Sequence, residues 1–223
     1  MTLPRLHPDV AAAFPAARIA VLTAHGVRAD RPWPATEAAL ARLETLASRG
    51  GWHPADEHDP RIAAWHTAYR AFGSNPRRVR PSVDALGRRL AKQGALPRIN
   101  PAVDSYNAVS VRHAHPAGAF DLAAVDGPIE IRFADGTEEF TPLGAPDTVE
   151  HPRPGEVVYA DAAGVLTRHW NHRDAHRTRV TERATDVLFV LETMDGAELA
   201  GPAEELRALL APHSEQVAVR YLG

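Results

Sequence analysis

The sequence predicts an α+β fold, with helices concentrated in its first half and strands in its second. Three observations carry this expectation. Across residues 36–48, Ala39, Leu40, Leu43, Leu46 and Ala47 recur at helical spacing before Gly50-Gly51 stops the run. Residues 129–133 alternate in polarity and residues 137–141 return after Asp135-Gly136, the pattern of a hairpin. Residues 187–191 are an unbroken apolar run, Val-Leu-Phe-Val-Leu, which suits a central strand covered on both faces.

The other elements follow in order. Residues 17–23 form a short apolar run of strand character. Asp59-Pro60 opens a helix to about Phe72, and Pro81-Ser82 opens another to about Gly94. Asn100-Pro101 has the form of a helix N-cap followed by proline at the first helical position. A second hairpin joins residues 156–160 to 164–168. Gly201-Pro202 starts a helix to Leu210, and residues 216–221 supply a last strand. No repeat or low-complexity segment interrupts the chain. Residues 1–75 therefore form an N-terminal αβ layer added to a core at residues 76–223, integrated in one compact unit with residues 73–76 as an exposed seam.

A chain of 223 residues with 44% hydrophobic content buries a sizeable core. It has no cysteine, so neither a disulfide framework nor a cysteine zinc site is available, as a reducing cytoplasm permits. No run of eighteen apolar residues appears, and residues 1–18 lack the basic-then-apolar layout of a signal peptide, so a soluble cytoplasmic protein is expected, without a membrane partner. Lys92 is the one basic residue that is not arginine, a composition that fits a GC-rich genome. Net charge is −3, yet Arg77, Arg78, Arg80, Arg88, Arg89, Lys92 and Arg98 cluster against a single acid, Asp84. Such a stripe fits a phosphate backbone, and it equally fits a solvated helix face with acidic partners elsewhere.

The richest segment runs from Leu96 to Asp121. Arg98 and Asn100 lie in a polar loop, and Asp104 and Asn107 follow three apart, which stacks them on one helix face able to hold a polar ligand. Ile99-Asn100, Val103-Asp104 and Asn107, followed by Pro116 and Ala119-Phe120-Asp121, resemble the B3/B4 domain of the bacterial phenylalanyl-tRNA synthetase β subunit, which removes wrongly attached tyrosine from tRNA. Val157-Val158-Tyr159-Ala160-Asp161 and Gly164-Val165-Leu166 match a later strand pair of that domain. The likeness covers roughly residues 76–194, touches none of the aminoacylation modules, and so is to free-standing B3/B4 proteins.

This resemblance implies an editing pocket with Asn100 and Asp104 in catalytic places, Asn100 and nearby backbone holding the ester carbonyl. Asn107, Gly118, His169, Trp170, Asn171 and Glu192 are its implied substrate-binding residues, with Trp170 stacking on the side chain or on adenine. Glu192 matches the glutamate that accepts a bond from the tyrosine hydroxyl, in a register open to a slip of one. Arg77, Arg78, Arg80, Arg88, Arg89 and Arg98 are the implied tRNA contacts. Plainer roles stand beside these: Asn100 as a cap alone, Asp104 paired with Arg98 or Arg112, and Glu192 at a strand end facing water.

Two departures from the pattern bear on the substrate. Gly118 stands where the family has a histidine, and His169-Trp170 stand where the synthetase has Ala-Gly, which predicts a reshaped or narrowed pocket. His169, His172 and His176 have spacings that place imidazoles together on a helix, but no acidic ligand pattern accompanies them, and neither metal nor cofactor is expected. The resulting expectation is a trans-editing hydrolase acting on the aminoacylated 3′ end of tRNA, with an ester of the Tyr-tRNA(Phe) type as substrate and no role for DNA. His115 or His169 is available to assist proton transfer. The alternative is a non-catalytic module that binds tRNA or a free amino acid; an unrelated metal hydrolase would rest on the histidines alone. The amino acid, the tRNA and the oligomeric state stay open.

Overall fold

The structure, a computed structural model, describes residues 4–223, so the first three residues of the segment read for a leader lie outside the described residues. The chain runs β1 (Arg5–Leu6), α1 (Pro8–Ala13), β2 (Arg18–His25), α2 (Pro34–Ser48), α3 (Pro60–Ala71), α4 (Ser82–Gln93) and α5 (Pro101–His113). It continues β3 (Ala117–Asp121), β4 (Glu130–Phe133), β5 (Val157–Asp161), β6 (Gly164–Arg168), β7 (Arg173–Asp174), β8 (Asp186–Thr193), α6 (Ala200–Leu210) and β9 (Gln216–Leu222). Two sheets result. One is four-stranded and antiparallel in the order β3-β8-β2-β9; the other is five-stranded in the order β1-β4-β5-β6-β7, with a parallel β1–β4 pair.

Alternation along β8 places its side chains on two faces. Leu188 and Val190 meet Ile131, Val157, Tyr159 and Leu166 of the second sheet, with Trp65 and Tyr69 of α3 closing the same core. Val187, Phe189 and Leu191 point the other way, onto Val109 of α5 and Leu206 and Leu210 of α6. The strand is thus covered on both faces, as its apolar run predicts. β2 of the N-terminal segment is its full-length partner, from Arg18 opposite Thr193 to His25 opposite Asp186.

Two expectations are corrected. The hairpin across Asp135-Gly136 does not form: β4 pairs with β5, and among residues 137–141 only Phe140 makes a bridge, to Glu150. Glu138 turns its carboxylate back onto the Asp135 and Gly136 amides and the Arg132 guanidinium, and the fully buried Val157 and Val158 offer β4 a more apolar partner strand. Residues 73–76 are not a uniformly exposed seam either, since Ser74 and Pro76 are buried. Among the described residues no helix is long and apolar enough to cross a membrane.

Candidate functional site: a buried glutamate beneath a small cavity

The period of β8 places Glu192 on the face of Leu188 and Val190, directed at the second sheet. It lies inside the strand and is 1% exposed, so the strand-end, water-facing reading does not hold. Its carboxylate accepts from Tyr159 Oη, from Trp170 Nε1 at 2.8 Å and from Asn171 Nδ2 at 2.9 Å. Asn171 Oδ1 in turn accepts from Tyr69 Oη at 2.9 Å. Burial pushes the Glu192 pKa up to about 7, and the three donors oppose that rise by favouring the charged form. Burial, then the neighbouring Glu192 charge, holds the Tyr69 and Tyr159 hydroxyls far above their usual range.

Trp170 reaches Glu192 because the chain bends sharply after β6. His169 and Trp170 take consecutive left-handed conformations, φ 49° and 67°, where glycine would be at ease. The bend is pinned by the Trp170 amide on the Val157 carbonyl at 2.7 Å and the His169 amide on Glu156 at 3.0 Å. The indole is fully buried, edge-on to Phe14 and Trp65 with ring centres at 5.2 and 5.5 Å. This corrects the expected stacking role, because no face of the ring is left for an adenine.

Above the carboxylate lies a cavity of about 40 Å³. Tyr159, Trp170, Asn171 and Glu192 form its buried floor, and the half-buried Ser82, Gly118, His172 and Asp174 stand at its rim. Gly118 lies opposite Val190, and a Cβ there would meet Val190 Cγ2 at an ordinary 3.7 Å, so the backbone does not demand glycine. A neighbouring cavity of about 220 Å³ is lined by Ser74, Arg78, Arg153, Glu156, Arg168 and His169. There Arg168 holds the buried Glu156 through two bonds at 2.9 and 2.8 Å, and His169 contacts Ser74 Oγ at 2.8 Å. Burial pushes the His169 pKa down to about 4.

The remaining sequence-derived residues lie elsewhere. Asn100 caps α5, accepting from the Val103 amide at 3.1 Å and donating to the Val180 carbonyl at 3.0 Å. Asp104, buried, accepts from the Ile99 amide at 2.9 Å. Neither lines the cavity over Glu192; Asn107 is buried on the same helix and does not line it either. Arg80 and Arg88 both pair with the buried Asp84, at 3.0 and 2.6 Å. Arg98 holds Glu44 at 2.6 Å, Arg77 reaches Glu57 at 3.4 Å and Arg89 bonds Gln93 at 3.0 Å. Arg78 instead faces the larger cavity. The segment holding His169, His172 and His176 is turn and strand, so their spacings do not align on a helix. Sequence reasoning missed Ser82, Tyr159 and Asp174; a tyrosine inside the apolar strand of residues 157–161 was a signal only for Tyr159.

Helices cover one face of the antiparallel sheet and the second sheet covers the other, with the buried glutamate between the two sheets. The chain belongs to the B3/4 domain family, whose pattern matches residues 64–210. It is 29% identical over 165 residues to the phenylalanine–tRNA ligase β subunit of Thermobifida fusca, covering 74% of this chain and 19% of that protein. It is 36% identical over 126 residues to the Nocardia farcinica β subunit, covering 56% of this chain and 14% of that protein. The chain therefore spans less than a fifth of the length of these relatives. Its fold matches an N-terminal fragment of the phenylalanyl-tRNA synthetase β subunit from Pyrococcus horikoshii, with a TM-score of 0.50 and 15% identity over 98% of this chain and 50% of that one.

Proposed function

We propose that the chain is a trans-editing hydrolase that cleaves the ester joining a wrong amino acid to the 3′ end of a tRNA. One observation carries the reading: in a B3/4 domain, a fully buried glutamate lies under a small cavity of mixed polar and apolar lining at the edge of the β3–β8 pair. Glu192 is hydrogen-bonded by three neutral donors and by no cation, so desolvating its charge still costs stability and calls for a reason beyond packing. An aminoacyl ester is already activated. Water adds to its carbonyl, the bond to the ribose oxygen breaks and that oxygen takes the proton, so positioning and oxyanion stabilisation suffice.

In this proposal Glu192 fixes the pocket through Tyr159, Trp170 and Asn171, and Gly118 and Asn171 border the amino acid. Asn100, Asp104 and Asn107 keep a supporting place on α5, where Asn100 caps the helix and Asp104 holds the Ile99 amide, away from the cavity. Arg78 and Arg153, with His169 beside them, offer the tRNA backbone a basic cleft. A second reading, a module that binds aminoacyl-tRNA without cleaving it, draws on Gly118 in place of the family's histidine. One experiment separates them. A panel of mischarged tRNAs is incubated with micromolar protein, with and without chelator, and the acylated fraction is followed. The hydrolase reading expects at least one ester to be lost faster than in buffer and indifference to chelator; a fully acylated panel refutes it.

A further inference from the structure

The cavity over Glu192 carries more information than its family resemblance. Its volume of about 40 Å³ is well below the roughly 150 Å³ that an apolar pocket needs to take a benzene ring. The space is lost to Trp170, whose indole is fully buried and hydrogen-bonded to the floor glutamate. Tyr159 and Trp170 both donate to Glu192 Oε1 and Asn171 donates to Oε2, so three of the carboxylate's roughly four acceptor positions are already filled. Two other groups at the cavity rim are undersatisfied. Ser82 Oγ is buried without a hydrogen-bond partner. Asp174 accepts one side-chain bond, from Thr167 Oγ1 at 3.0 Å. A side-chain hydroxyl can donate to a carboxylate and accept from a serine at the same time.

Resting on the deacylase reading, we infer that the amino acid accepted here is small and hydroxyl-bearing, of the serine or threonine type, and that Asp174 and Ser82 read its hydroxyl. Trp170 takes the volume that an aromatic side chain would need, and Asp174 takes over from Glu192 the direct contact with the ligand. Burial is consistent with this assignment, since it pushes the Asp174 pKa up to about 6 and leaves a carboxylate that gains from a donor.

The test uses one tRNA body charged with serine, threonine, alanine, phenylalanine or tyrosine, together with the non-hydrolysable seryl, alanyl and tyrosyl amides of 3′-amino-3′-deoxyadenosine. Seryl ester cleavage exceeding tyrosyl by about 100-fold, and seryl amide binding exceeding alanyl by about tenfold, are the results expected. Asp174→Asn, close in shape and able to keep the Thr167 contact, should bring the seryl and alanyl amides to within about twofold. Trp170→Ala should open the pocket to the tyrosyl amide; Trp170→Phe serves if the smaller variant does not fold. Tyrosyl cleavage or binding equal to seryl in the unaltered protein overturns the inference and leaves the deacylase reading intact. If no ester is cleaved, the deacylase reading falls, and the amides decide the inference by themselves. Binding of no amide, or a seryl preference that survives Asp174→Asn, overturns it.

Discussion

At the residue scale the site turns on how one carboxylate is kept inside an apolar layer. Glu192 has a pKa of about 7 because burial outweighs the bonds from Tyr159, Trp170 and Asn171, so removing one donor shifts the balance further toward the neutral acid. Tyr159→Phe deletes a single hydroxyl at nearly constant volume and should raise the Glu192 pKa by about one unit, the equivalent of one lost bond to a charged group. Carboxyl chemical shifts followed through a pH titration check this, and an unmoved titration would mean that burial alone sets the value. Glu192 was legible in the sequence because it closes a run of five apolar residues, where a charge is conspicuous. The role of Trp170 was not. Two consecutive left-handed residues turn its ring inward, and although histidine is among the types enriched in that conformation, tryptophan is not.

At the scale of elements, helix ends, covered strands and the short β5–β6 hairpin were readable, and the partners of the other strands were not. Asp59, Asn100 and the prolines after them fix where α3 and α5 begin, because caps act through the next few amides. Strand partners are chosen by competing surfaces far apart in sequence, which is why residues 137–141 lost β4 to β5. The same limit applies to the arginines around α4. Their clustering is a sequence fact, but their partners Glu57 and Glu44 arrive from other elements. Arg88 and Arg78 therefore separate by role. Arg88→Gln leaves Asp84, whose side chain is 0% exposed, with one arginine fewer and should cost about 1 to 3 kcal/mol in denaturant unfolding. Arg78→Gln should leave stability unchanged, weaken tRNA binding and lower the log-log salt slope by about one. An unchanged slope would make the cleft beside His169 a solvent feature.

At the scale of the whole molecule, buried titratable groups pull stability in opposite directions with pH. Burial holds His66 and His172 below the ordinary imidazole value and takes His115 and His169 down to about 4. In the unfolded chain these rings take up protons as pH falls through about 6.5, while the folded protein resists, so acidification favours unfolding. Glu192 and Asp174 act with the other sign: their folded pKa values of about 7 and about 6 lie above the unfolded ones, so they favour the folded state at low pH and lose that contribution as pH rises. Between about pH 4.5 and 6.5 the unfolded chain binds more protons in total, because with His213 the lowered imidazoles number five, against three raised carboxyls once Asp104 is counted. Stability should therefore climb across that window by about 1.4 kcal/mol per pH unit for each net proton, then level off toward about pH 7.5 as the last imidazole contribution is nearly cancelled by the ionisation of Glu192. Urea unfolding at a series of pH values measures the slope directly. A stability that rises steadily on acidification from pH 6.5 to 5 would hand control to the raised carboxyls and show that the buried imidazoles take up protons in the folded protein.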